Sequence, residues 1–187
     1  MKSLDHYGNV IYLKGLSKIL APGCRIGILA ASGSIFKRLL AAKANTDLGS
    51  PLLTQKAIIP FITSKRMMDH LKKLRTALKI RRDLILKILS QHSPEEISWF
   101  IPKGGLNLWL TLPSWINTDN LLIEAKKEQI TFLPGSTCYP TEQENHHLRL
   151  SFSYMNEQQL TQGVTTICNL LQSAIELKIN QDRTPHF

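Results

Sequence analysis

Val10-Ile11-Tyr12-Leu13-Lys14-Gly15-Leu16-Ser17-Lys18-Ile19-Leu20-Ala21-Pro22-Gly23-Cys24-Arg25-Ile26-Gly27 is the most informative stretch of this 187-residue chain. Residues 10–13 form an apolar, β-prone run that reads as a short buried strand. Residues 25–30 read as a second strand, bounded by Pro22-Gly23 before it and Gly33 after it. The loop between the two holds Ser17 and Lys18. Taken alone, a Ser-Lys pair is an ordinary surface loop and an arginine at a strand's edge is an ordinary strand residue. What sets this stretch apart is the spacing: a strand, Ser-Lys, a Pro-Gly turn, and an arginine seven residues beyond the lysine.

Working outward, residues 34–43 can cap and form a helix, and residues 45–51 are polar and turn-rich. From Met67 onward, Met67, Leu71, Leu74, Leu78, Ile85 and Ile88 recur at helical spacing, which predicts one long helix over about 64–91. After Ser93-Pro94 the pattern changes. Leu106, Leu108, Leu110 and Leu112 alternate with Asn107, Trp109 and Thr111, as a strand with one apolar face does. Leu148, Leu150 and Phe152 repeat the pattern and put His147, Arg149, Ser151 and Ser153 on the opposite face. Between these strands Thr118 can cap a helix running to Glu128, and residues 130–133 can add a strand. A last helix from about Asn156 carries Leu160, Val164, Ile167, Leu171 and Ala174 on one stripe. Strand, strand, helix, strand, strand, helix describes a small α+β domain. The first 60 residues differ, because two strands and one helix cannot bury a sheet on both faces. They read as the edge of a larger domain, in a chain that is a fragment or pairs with something that completes the sheet.

The composition is that of a globular chain, with 43% hydrophobic and 20% charged residues. No signal peptide and no run of the roughly 20 apolar residues that cross a bilayer is evident, so the expected location is cytoplasmic, with no membrane partner. Cys24, Cys138 and Cys168 lack a disulfide or zinc spacing and are expected to be buried free thiols; no metal site is expected, His146 and His147 included, since adjacent residues on a strand point apart. The formal charge of +9 suggests nucleic acid, but residues 64–91 alone hold nine basic and two acidic side chains and supply +7 of it. Such a run is ordinarily the solvated face of a helix.

The 10–27 segment closely resembles the cofactor-lysine signature of class I/II aminotransferases, especially the form in the MocR branch of GntR-type transcriptional regulators. Ser17, Lys18, Pro22, Gly23 and Arg25 fit it. The resemblance continues through Ser50-Pro51-Leu52-Leu53-Thr54-Gln55, similar to a dimer-interface segment, and through His70-Leu71, Leu74-Arg75 and Arg81-Arg82-Asp83 of an interdomain helix. Pro102 to Trp109, Phe132-Leu133-Pro134-Gly135-Ser136, and His147 to Ser153 resemble blocks of that family's small domain, so nearly the whole chain is covered. Leu-Pro-Gly-Ser with Leu-Arg-Leu-Ser-Phe-Ser leans toward the regulator branch.

The resemblance implies a fold-type I pyridoxal-phosphate-dependent transferase of the α/β class, here a C-terminal fragment. Residues 1–63 would be the remnant of the large cofactor-binding domain, 64–91 the interdomain helix, 92–180 the small α+β domain and 181–187 a tail. It implies pyridoxal 5'-phosphate as cofactor and Lys18 as the catalytic residue that forms a Schiff base with it and shuttles a proton at the substrate's Cα. Arg25 would anchor the cofactor phosphate with its planar fork. Ser17 would bond the phosphate or hold the loop. Gly15 stands where many members carry a Ser or Thr phosphate ligand, so backbone amides there would take a share. Arg149 would grip the α-carboxylate of an amino acid or 2-oxo acid. The family's ring-nitrogen aspartate, ring-stacking group and phosphate loop precede the lysine strand by a long stretch, which implies a truncated or split product with weak or no transamination by itself. Two functions follow: an aminotransferase, or the effector-sensing domain of a regulator without turnover. Either parent is expected to be a homodimer, and to meet DNA only through a winged helix that this chain does not contain.

Overall fold

The computed structural model describes residues 1–47, 49–140 and 144–183, the last two of these by their backbone alone. The chain forms two compact units, residues 1–74 and 75–187. The expected tail therefore lies mostly outside the described residues, and where it is described it continues a helix.

In the first unit, β1 (Tyr12–Gly15) and β2 (Gly27–Ala30) pair antiparallel, with Tyr12 opposite Ala30 and Gly15 opposite Gly27. Gly33, at φ +69°, turns the chain into α1 (Gly33–Asp47). Next comes α2 (Leu52–Ile62), a helix the polar reading of residues 45–51 did not extend to, with Pro60 near its C-terminal end. The long helix α3 (Lys65–His92) begins in this unit, within a residue of the boundaries its periodicity predicts. Only Leu16, Ile58 and Met67 are buried among the described residues up to Leu74. The expectation of buried strands is therefore corrected. Every residue of β1 is exposed and β2 is nearly so, because a two-stranded sheet beside one helix has too little mass to cover its faces. Before β1, the Asp5 carboxylate accepts from Lys2 Nζ at 2.8 Å and from the amides of Asn9 and Val10 at 3.0 and 3.1 Å, closing a small loop.

The second unit holds the core. A four-stranded antiparallel sheet has the order β3 (Ser98–Phe100), β4 (Asn107–Thr111), β6 (His147–Ser151), β5 (Leu133–Pro134). Leu108, Leu110, Leu148 and Leu150 point from one face onto α3 through Ile85, Ile88 and Leu89, onto α4 (Thr118–Lys127) through Leu121 and Ala125, and onto α5 (Glu157–Arg183) through Leu160, Val164, Ile167, Cys168 and Leu171. Fully burying each such side chain contributes about 1.5–3 kcal/mol, so this cluster is the main source of the unit's stability. The element order is the one the alternating and 3.6-residue patterns predict.

Three local expectations change. The cap of α4 is Asn117, whose Oδ1 accepts from the amides of Asp119 and Asn120. Thr118 instead is fully buried, and both its amide and its hydroxyl donate to the Asn145 carbonyl at 2.8 Å. The strand expected at 130–133 shrinks to Leu133–Pro134, since the Ile130 amide is taken by the Ala125 carbonyl at the end of α4. Of the three thiols only Cys168 is buried, while Cys24 is half-buried and Cys138 exposed. No helix among the described residues is long and apolar enough to cross a membrane.

Candidate functional site

The residues singled out in the sequence fall into two groups, one in each unit. In the first unit, β1 ends at Gly15 and the chain turns through Leu16-Ser17-Lys18-Ile19-Leu20. Leu16 is the anchor: its side chain is buried and its amide donates to the Ile26 carbonyl at 3.0 Å, continuing the ladder by one rung. Its carbonyl then accepts from the amides of Ile19 and Leu20 at 3.2 and 2.8 Å, making a single helical turn with Lys18 at its middle. His70 on α3 closes the other side, its ring N–H donating to the Ile19 carbonyl at 2.9 Å. Lys18 is exposed, Ser17 half-buried.

Arg25 follows a 3-10 turn at Pro22–Cys24 and sits in the left-handed region, φ 50°, ψ 40°, its amide donating to the Pro22 carbonyl. For a non-glycine residue that conformation costs on the order of 1–2 kcal/mol. Arg25 is exposed, and among the described residues neither it nor Lys18 has an ion-pair or hydrogen-bond partner on its side chain. No Asp or Glu occurs between Asp5 and Asp47, while Lys14, Lys18, Arg25, Lys37, Arg38 and Lys43 do. A cation-rich stretch without internal acids suits an anionic ligand. Gly15 and Gly27 line an open groove of about 570 Å³ between the hairpin and α1, and a Cβ on Gly15 would meet nothing within 4 Å. Ser17, Lys18 and Arg25 do not line that groove; by type they are donors that suit pyridoxal phosphate, a primary amine for an aldehyde and a guanidinium and a hydroxyl for a phosphate.

In the second unit, Arg149 stands on the sheet face opposite the core, exposed, between Trp109 on β4 and Leu133 on β5. Among the described residues its guanidinium too is without an ion-pair or hydrogen-bond partner. Two residues along β6, His147 is buried and stacks on Trp109 with ring centroids 5.5 Å apart at 23°, and Tyr139 meets Trp109 edge-on at 5.9 Å. Among the described residues His147 Nδ1 has no hydrogen-bond partner, and Glu144 places Oε2 at 3.6 Å. Burial lowers the His147 pKa, the charge of His146 adds to this and Glu144 opposes it. Burial also raises the Tyr139 pKa, with Glu144 assisting. The histidine rings do not point apart, because His146 precedes the strand; they pack at 4.1 Å. The contact of His70 with the turn and the packing of Tyr139 and His147 on Trp109 are what sequence reasoning did not assign, since each depends on partners far away in the chain.

This order of elements fits the C-terminal part of a fold-type I, aminotransferase-like fold. The comparisons with known proteins agree. No family model matches the chain. An aromatic-amino-acid aminotransferase of Thermococcus litoralis is 31% identical over 176 residues, 94% of this chain and 42% of that protein. The HTH-type transcriptional regulator YdfD of Bacillus subtilis is 36% identical over 88% of this chain and 34% of its own length. A kynurenine aminotransferase of Pyrococcus horikoshii, solved in complex with PMP, superimposes with a TM-score of 0.88 at 32% identity, over 93% of this chain and 43% of that one. The chain thus spans about 40% of the length of the aminotransferases it matches, and its homologues are aminotransferases and HTH-type transcriptional regulators.

Proposed function

We propose that this chain is the cofactor-lysine-bearing part of a domain that transfers an amino group between an amino acid and a 2-oxo acid with pyridoxal 5'-phosphate. Residues 1–63 would belong to the cofactor-binding domain, 64–91 to the interdomain helix and 92–180 to the small domain. Lys18 is the covalent attachment point, Arg25 and Ser17 take the phosphate, the open backbone at Gly15 adds amide donors, and Arg149 receives the α-carboxylate. The bound cofactor supplies the electron-withdrawing ring that makes the substrate's Cα–H acidic. Lys18 Nζ would be the group that takes and returns the proton at that Cα. The observation that carries this reading is the Lys18 turn: pinned at Leu16 and Ile19, with its own side chain and that of Arg25 unpaired in a stretch that lacks acids.

A second reading keeps the same site without turnover, as the effector-sensing domain of a homodimeric, cytoplasmic regulator that reaches DNA through a separate winged helix. The 36% identity to an HTH-type regulator over 88% of this chain favours it.

The test is an absorbance spectrum of the purified chain with added pyridoxal phosphate, before and after borohydride, beside Lys18→Ala. A band near the visible edge that borohydride fixes covalently, and that the variant lacks, is the expected result. An identical spectrum from Lys18→Ala overturns the assignment. Added amino acids then test for turnover: appearance of the 2-oxo acid marks an enzyme and overturns the expectation that this chain alone has weak or no transamination.

A further inference from the structure

The Lys18 turn is exposed, and its local bonds are short-range ones that a mobile loop also makes. Ile19 and Leu20 donate back to Leu16, and Leu16 to Ile26. Among the described residues one side-chain bond reaches the turn from far along the sequence: the His70 ring N–H donates to the Ile19 carbonyl at 2.9 Å, across 51 residues. His70 is half-buried and is itself held edge-on by Phe61 of α2, at 6.1 Å and 65°. α3 is a continuous helix, so this bond ties the Ile19–Leu20 peptide, one residue beyond Lys18, to a rigid element. We propose that His70 is a positioning residue for Lys18, fixing the Ile19 carbonyl and thereby the direction in which the amine leaves the turn. This rests on the reading of Lys18 as the cofactor lysine.

The physical case is one of order. A turn held only by i to i+3 and i to i+4 bonds frays on the nanosecond to microsecond scale, and an amine on a fraying turn reacts from many orientations, most of them unproductive. A lysine whose following carbonyl is clamped presents one. A carbonyl oxygen only accepts, so in this bond the ring carries its hydrogen on Nε2.

The test compares wild type with His70→Ala, His70→Phe and His70→Gln. Phenylalanine keeps the ring against Phe61 and removes the donor; glutamine restores an N–H of similar reach. In the cofactor-free chain, {1H}-15N relaxation of the Ser17 to Leu20 amides should show added mobility in the Ala and Phe variants and wild-type values in Gln. With pyridoxal phosphate, the Ala and Phe variants should need about 5- to 10-fold more cofactor for half-saturation, with Gln close to wild type. Unchanged relaxation in His70→Phe overturns the proposal whatever the cofactor does. A wild type that forms no Lys18-dependent adduct, but whose turn still loosens in His70→Phe, leaves the clamp standing and overturns the cofactor reading instead.

Discussion

Gly135 lies so close against His147 that a Cβ added to it would come 2.7 Å from the His147 Cβ and 2.8 Å from the His147 carbonyl oxygen. Both neighbours belong to the backbone or root of β6, so the strand itself must move to admit a methyl group. Gly135→Ala should lower stability by about 1–3 kcal/mol, the range of overpacking in a dense interior. Because β6 carries Arg149 two residues on, the shift should also disturb the Trp109–His147 stack. Thermal unfolding with near-ultraviolet circular dichroism reads both; wild-type values in both would show that the approach is looser than described.

Arg25 offers a trade between stability and binding. It sits at φ 50° with no side-chain partner among the described residues. Glycine adopts that conformation freely but gives up about 0.5–1 kcal/mol to its mobile unfolded state. Set against a strain of about 1–2 kcal/mol, Arg25→Gly should raise stability by roughly 0.5–1 kcal/mol. If the guanidinium holds the cofactor phosphate, the same variant should bind pyridoxal phosphate at least several-fold more weakly. A variant that binds as tightly as wild type removes Arg25 from the site.

The Asp5 carboxyl is held well below the usual carboxylate range, first by its hydrogen bond to Lys2 and then, against a partial desolvation, by the amides of Val10 and Asn9. A depressed folded-state pKa means that the contribution to stability is fully present above the unfolded value of about 3.9 and is lost as the pH falls through the folded one. The Asn9 and Val10 amide resonances should therefore titrate with a midpoint well under about 3.9, and Asp5→Asn should loosen residues 2–10 at neutral pH. A midpoint at the free-aspartate value would mean that the loop is open in solution.

Much of the fold was legible because the responsible patterns are local. The alternating leucines of β4 and β6 and the stripe of α3 fix face and period within a few residues, whereas Ser17, Lys18 and Arg25 are picked out by the resemblance of residues 10–27 to a family signature. What was missed depends on partners distant in sequence. α2 has apolar residues on most of its surface and a proline within it, so it shows no clear stripe. Asn117 and Thr118 are both good caps, and only the Asn145 carbonyl, far along the chain, takes Thr118 away from that role. The bond from His70 to Ile19 and the rings around Arg149 require tertiary packing and strand register, which no short window of sequence encodes.

The place of β6 has a consequence for synthesis. It is the last strand to be made, yet it lies inside the sheet, between β4 and β5. At roughly 5–20 residues per second the ribosome needs several seconds to travel from Thr111 to His147. Throughout that interval the inner edge of β4 has no neighbour and Leu108 and Leu110 have no sheet beyond them. The part of α3 bearing Ile85, Ile88 and Leu89 is already made by then, and it is the shelter available to those leucines. A nascent chain paused between the two strands is thus an open-edged hairpin on one long helix, the form in which a protein of this kind is most exposed to chaperones and to its own neighbours.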